Sequence, residues 1–127
     1  MTQRSMSAPI VTPETEHFWQ AAREGRFLVR RCTACAETHW YPRAICPFCL
    51  GDTVWEEHAG SGTIYSWTVM RREAVPFAMG YVSLDNGPTM LTDFVGIDFD
   101  TLKIGMRVKL AWSTTVDGAK VPSFTGA

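Results

Sequence analysis

The chain has 127 residues, 46% of them hydrophobic and 20% charged, which is the composition of an ordinary globular protein and not of a disordered or fibrous one. Twelve basic side chains stand against thirteen acidic ones, giving a formal charge of -1 and a pI near 6.3. No global field therefore draws the chain to phosphate backbones or anionic membranes.

The first residues, Met1 to Pro9, lack the apolar stretch of a secretory signal, and nowhere does the chain offer the roughly 18 consecutive apolar residues of a membrane span. The expectation is a cytoplasmic protein without membrane contact. Residues 1 to 11 carry no periodicity and read as a flexible arm. At Thr12-Pro13-Glu14 the pattern changes: Thr12 can N-cap a helix, Pro13 suits the first turn, and Glu14 and Glu16 complement the helix dipole. Gly25 supplies the stop, so a helix is expected over 13–24 with Phe18, Ala21 and Ala22 on one face and Trp19 beside them. That face either packs on the fold or waits for a partner.

Residues 26–53 hold two cysteine pairs, led in by Phe27-Leu28-Val29 as a short strand. From Val54 onward the pattern is strand-like. Thr63 to Met70 alternates and is rich in β-branched and aromatic residues, and Tyr65 and Trp67 are expected to share a face that fills the interior. Met79–Asp85 and Thr89–Val95 flank Asn86-Gly87-Pro88, a strong hairpin signal. A helical turn is expected around Asp98 to Leu102, then strands at Val108–Trp112 and, after the Asp117-Gly118 turn, at Val121–Thr125. Five short strands with almost no helix between them point to a small barrel. The expected organisation is arm and helix over 1–25, ribbon over 26–53, and barrel over 54–127.

Cys32-x-x-Cys35 and Cys46-x-x-Cys49 each place two thiolates on one tight turn, and the ten residues between Cys35 and Cys46 suffice for a hairpin that folds the turns face to face. Four thiolates in a tetrahedron suit zinc and leave no open position, so the site is expected to be structural and not catalytic. Mononuclear iron would use the same four ligands, and a redox dithiol is the more distant alternative. A ribbon of this size cannot build its own core, so the metal supplies its folding free energy. His39 adds nothing to a set that is already complete.

With these residues placed, the chain resembles the DUF35 family. The resemblance rests on Phe18-Trp19 with Glu24-Gly25, on Cys32-Thr33-Ala34-Cys35 with Tyr41-Pro42 before Cys46-Pro47-Phe48-Cys49, on Gly60 through Thr68, and on Ile104-Gly105-Met106-Arg107-Val108. It implies a mainly β chain: an N-terminal helix, a rubredoxin-like zinc ribbon and a five-stranded OB-fold barrel. It further implies a noncatalytic accessory subunit, in a hetero-oligomer with a thiolase-fold acyl-CoA enzyme (thiolase, acyltransferase or aldolase) or, less readily, a hot-dog-fold hydratase. The tail after Val108 is short for the family, so the last strand is expected to be brief or completed by a partner.

No nucleophile with a base, acid–base pair or open metal site stands out, and His17, His39 and His58 are scattered. Single-stranded nucleic-acid binding is the alternative function, because OB-folds serve it and Tyr65 and Trp67 could stack bases; the charge of -1 argues against it. For a coenzyme A thioester the candidates are Arg30, Arg31, Arg43, Arg71 and Arg72, whose guanidinium forks match phosphate geometry, placed in a groove between ribbon and barrel. The competing reading is ordinary solvated arginines.

Overall fold

A computed structural model describes residues 5–127. The part of the expected flexible arm at positions 1–4 lies outside the described residues. Nine elements of helix and strand follow: α1 (Glu16–Arg23), β1 (Leu28–Cys32), β2 (Thr38–His39), β3 (Thr53–Glu57), β4 (Ser61–Met70), β5 (Phe77–Leu84), β6 (Thr89–Phe94), β7 (Arg107–Thr114) and β8 (Lys120–Gly126), with a 3-10 turn at Phe99–Thr101. The expected turn after β6 is this one, capped by the Asp98 carboxylate, which accepts from the Asp100 N–H.

The helix begins three residues later than the Thr12 cap implied. Thr15 is the N-cap, and its hydroxyl accepts from the Thr12 N–H instead of from a helical N–H. The Thr-Pro-Glu-Thr segment thus spends its capping groups on a turn of its own. The packing face is as expected: Phe18, Ala21 and Ala22 are buried, and the Trp19 indole donates to the Tyr41 hydroxyl. The N–H groups of Gly25 and Arg26 close the helix on Ala22 and Ala21 carbonyls, with Gly25 in the left-handed region that glycine adopts freely.

The ribbon is a three-stranded antiparallel sheet in the order β2-β1-β3. Thr53–Glu57, which the sequence reading divided between ribbon and barrel, pairs along the whole of β1, from Cys32 opposite Thr53 to Leu28 opposite Glu57. The ribbon sheet therefore runs to Glu57. Arg31 ties its two long strands to the barrel: the guanidinium pairs with Glu56 and donates to the carbonyls of Ala36 and Asn86.

Strands β4 to β8 close into a barrel in the order β4-β5-β6-β8-β7, with β7 returning to β4. This is the five-stranded OB-fold arrangement. The last strand is not brief: β8 pairs with β7 from Val108 opposite Gly126 to Thr114 opposite Lys120, so the chain completes its own barrel. The β5–β6 hairpin turns at Asn86-Gly87, with Asn86 at a positive φ. Arg107 grips this hairpin through a fork onto the Asp85 carboxylate, which its hydrogen bonds hold at a pKa of about 2.

One sequence expectation about the barrel fails. Between Ile64 and Ser66 the β4–β5 register slips by a bulge, after which Ser66 lies opposite Tyr81 and Trp67 opposite Gly80. The bulge breaks the alternation on which the inward placement of Tyr65 and Trp67 rested. Tyr65 is 66% exposed and Trp67 39%. Gly80 makes the close approach here: a Cβ at that position would sit 2.1 Å from the Ser66 carbonyl oxygen.

One apolar core runs through all three parts. It joins Phe18 and Ala21 of α1, Phe27 to Val29 at the ribbon's start, and Ile64, Val82, Met90, Val108 and Phe124 of the barrel. Phe27 is its hub, with ring centroids of Phe18, Trp40, His58 and Trp112 5.8–6.4 Å away. Phe27→Ala should cost about 3–5 kcal/mol, as for other buried aromatics. In urea unfolding it should lower the midpoint of ribbon and barrel signals together; a drop confined to one of them would show that the core is not shared.

Candidate metal centre and functional surfaces

Two knuckles with the same backbone path carry the cysteines. In the first, the Cys32 N–H donates to the Glu37 carbonyl and the Ala36 N–H to the Cys32 carbonyl; in the second, Cys46 and Gly51, then Leu50 and Cys46, repeat both bonds. Ala36 and Leu50, each four residues past its first cysteine, take the left-handed conformation with φ of 65°. The Thr33 N–H donates to the Asp52 carbonyl and locks one knuckle to the other.

The four Sγ atoms lie within 4.8 Å of one another, with Cys32 to Cys49 at 3.4 Å and Cys35 to Cys46 at 3.8 Å. Zinc–sulfur bonds of about 2.3 Å in a tetrahedron require sulfurs about 3.8 Å apart, so the four cysteines are positioned to hold one zinc ion. Backbone N–H groups point at the sulfurs: those of Ala34 and Cys35 at Cys32, and that of Phe48 at Cys46. Gly51 leaves room for the cluster, since a Cβ there would come within 3.2 Å of Cys32 Sγ and 3.3 Å of Cys49 Sγ.

The thiols are unequal. The Cys35 N–H, with help from Ala34 and the neighbouring thiols, brings Cys32 down to about 6. At Cys35 the Glu37 N–H pulls downward, but burial and the thiols of Cys49, Cys32 and Cys46 push it up to about 12. Cys49 is also raised, the Gly51 N–H being outweighed by the thiols of Cys32 and Cys46 and by burial. A metal that takes these sulfurs as thiolates displaces their protons, so its apparent affinity rises with pH.

All three histidines have structural partners. His39 Nε2 accepts from the Arg43 N–H, the His58 ring lies between the Gly60 N–H and the Asp85 carbonyl, and His17 packs against Trp55 with the rings tilted by 55°. The five candidate arginines do not share one groove. Arg30 stacks on Trp55 at 4.2 Å, and Arg31 is committed to Glu56. Arg43 lines a groove of about 610 Å³ between the ribbon and the β5–β6 hairpin, together with His39, Trp40, Phe48 and Pro88. Arg71 lies over Phe99 in a separate groove beside Gly96 to Asp100, and Arg72, which follows it, is exposed.

A surface that the sequence reading did not identify covers the outside of β4, β5 and β6. The registers align Thr63, Ser83 and Thr89 in one row, Ser66, Tyr81 and Leu91 in the next with Tyr65 at the bulge, then Thr68, Met79 and Asp93. Tyr65, Tyr81 and Leu91 are all exposed, and Asp93 at the edge is the one ionisable carboxylate in these rows. Alternation in Met79-Gly-Tyr81-Val-Ser83 was the available signal for β5; the bulge concealed it in β4. Among the described residues no helix is long and apolar enough to cross a membrane.

Comparison with known proteins places this geometry. Residues 19–56 match the ChsH2 rubredoxin-like zinc ribbon domain and residues 55–113 the ChsH2 C-terminal OB-fold domain. A probable enoyl-CoA hydratase alpha subunit of Thermomonospora curvata is 31% identical over 126 residues, covering 94% of this chain but only 39% of the relative. A DUF35 domain-containing scaffold protein of Pyrococcus furiosus is 24% identical and is aligned over 76% of each chain. Among solved structures, an Ltp2-ChsH2(DUF35) aldolase superposes with a TM-score of 0.80 at 30% identity, over 94% of this chain and 98% of that one. A DUF35 protein of Sulfolobus solfataricus shares the fold at a TM-score of 0.68 and 16% identity, over 92% and 87% of the two chains.

Replacing Cys35 with Ser should lower metal content from about one zinc per chain and loosen the ribbon, because the ion's binding free energy is largely the ribbon's folding free energy. Elemental analysis of protein prepared without chelator checks this. Absence of metal from the native chain, or full occupancy in the variant, would contradict the assignment.

Proposed function

This chain belongs to the DUF35 family of zinc-ribbon and OB-fold proteins, and from that premise we propose that it is a noncatalytic subunit of an acyl-CoA-processing complex. Its partner in this reading is a thiolase-fold enzyme, a thiolase, acyltransferase or aldolase, with a hot-dog-fold hydratase the less favoured choice. The observation that carries the reading is the outer face of β4 to β6. Three exposed apolar or aromatic side chains, Tyr65, Tyr81 and Leu91, sit among Thr, Ser and Met with no cation in the rows. Aromatic and Met enrichment with few charges is the composition of a protein–protein interface core. The second knuckle adds Phe48 and Leu50, both largely exposed, at the other end of the molecule's ribbon. The histidines' structural partners and the closed coordination of four thiolates leave chemistry to the partner.

Within this reading the coenzyme A thioester is a shared ligand. Arg43, which has no ion-pair partner among the described residues, offers its guanidinium to phosphate in the groove beside Trp40 and Phe48, and Arg71 and Arg72 serve the partner's side. Nucleic-acid binding remains the second reading because Tyr65 and Tyr81 are exposed on the barrel face that OB-folds use for ligands. A face without cations gains nothing from phosphate neutralisation, which supplies most nonspecific affinity.

The experiment is sedimentation velocity of the chain mixed with a candidate thiolase-fold enzyme from the same genome. The double variant Tyr65→Asp/Tyr81→Asp should weaken association at least about tenfold with an unchanged melting curve, as expected for charges placed in an interface core. Unchanged association would remove the face from the reading. Tight, steeply salt-dependent binding of a single-stranded oligonucleotide, lost in the same variant, would favour the second reading instead.

A further inference from the structure

The barrel is closed unevenly. Strands β6 and β8 run parallel and are paired at Phe94 with Phe124. Before that pair they part around a groove of about 400 Å³, across which the Thr92 hydroxyl donates to the Pro122 carbonyl. Most of its walls are anchored: Trp19 belongs to α1, Trp40 follows β2, Met79 and Met90 lie in β5 and β6, and Val121 to Ser123 lie in β8. Met6 and Ser7 complete the lining from outside every helix and strand.

The segment that carries Met6 is lightly held. Ser5, Ser7, Ala8, Ile10 and Val11 are exposed, whereas Met6 and Pro9 are half-buried. Met6 is therefore the one long apolar side chain of this stretch that turns inward. At its far end the stretch leads into the Thr12–Thr15 turn, closed by the Thr12 N–H on the Thr15 hydroxyl. At its near end the Met6 carbonyl accepts from the N–H of Val116, an exposed residue, at 3.0 Å. A stretch with few buried side chains and an exposed hydrogen bond opens at small cost compared with the sheet it crosses.

The Val116 N–H is free for this bond because of where it lies. Val116 is the second residue of the β-turn in which the Gly118 N–H donates to the Thr115 carbonyl, and the turn itself makes no use of a donor at that position. We propose that residues 5–11 form a displaceable strap, hinged at the Thr12–Thr15 turn and latched at Val116, that covers the seam with Met6. An apolar molecule entering the groove then competes with the chain's own methionine, whose flexible side chain suits irregular walls. Its apparent affinity is lowered by the fraction of molecules in which the strap is open. The device is independent of the acyl-CoA reading, and its test needs no partner.

Two variants distinguish a strap from a fixed wall, read by titrating the full-length chain with the neutral apolar dye prodan and following its emission. Val116→Pro removes the latch N–H at a turn position that proline favours and that does not line the groove. Met6→Gly removes the covering side chain. Both should tighten dye binding, by about tenfold if the strap is open in about one molecule in ten. Adding Leu91→Arg should abolish the gain, because Leu91 lines the seam. In hydrogen exchange of the native chain, the Val116 amide should exchange faster than the Thr115 amide, which is bonded within the turn to the Ala119 carbonyl. A gain in fewer than both variants overturns the proposal. So does a gain that survives Leu91→Arg, or a Val116 amide as protected as that of Thr115.

Discussion

Phe27 sits where the three parts of the chain meet, and its ring is the contact on which their mutual placement depends. Phe18 and Trp40 reach it from the helix and the ribbon, Trp112 from the barrel and His58 from the linker. The ribbon itself contributes little apolar volume beyond Leu28 and Val29 and cannot stand on burial alone. Its internal order rests on the knuckles whose four cysteines are positioned to hold one ion, and its orientation comes from this aromatic cluster. Arg31 and His58 add polar ties to the β5–β6 hairpin, at Asn86 and Asp85. Metal and aromatic core thus hold different things: the first holds the ribbon's shape, the second its position against the barrel.

That division explains where functional surfaces can arise. A ribbon fixed against a barrel creates a groove at the junction, where Arg43, Trp40 and Phe48 face the hairpin, and a second one at the seam of β6 and β8. Neither exists on either module alone. Loss of the metal would be expected to blur both grooves through Trp40, although the barrel's own ladders would remain. A structural ion can in this way govern ligand binding without touching a ligand.

Much of this was legible in the sequence for physical reasons. The two Cys-x-x-Cys turns point to one four-thiolate metal site, Asn86-Gly87 demands a tight hairpin, and the Phe18, Ala21, Ala22 stripe has helical spacing. Other features depend on tertiary pairing that no local pattern encodes. Thr12 and Thr15 are both competent caps, and only the turn built between them decides which one the helix uses. Thr53 to Glu57 has a strand's composition in either module, and its pairing with β1 settles the matter. The bulge at Tyr65 splits an apparent core pair: Tyr65 lies outward beside Tyr81, while Trp67 falls opposite the buried Gly80 on the other face. The candidate arginines stand near aromatics in sequence, but in space Arg43 and Arg71 line different grooves.

The central claim is that chemistry belongs to a partner and that this chain enables it. The most direct measurement is turnover of an acyl-CoA substrate by this chain alone, by a candidate thiolase-fold partner from the same genome alone, and by the two at equal concentration. An accessory subunit predicts no turnover by this chain at any concentration and a rate from the pair at least about tenfold above that of the enzyme alone. Turnover by the isolated chain, or equal rates with and without it, would contradict the claim.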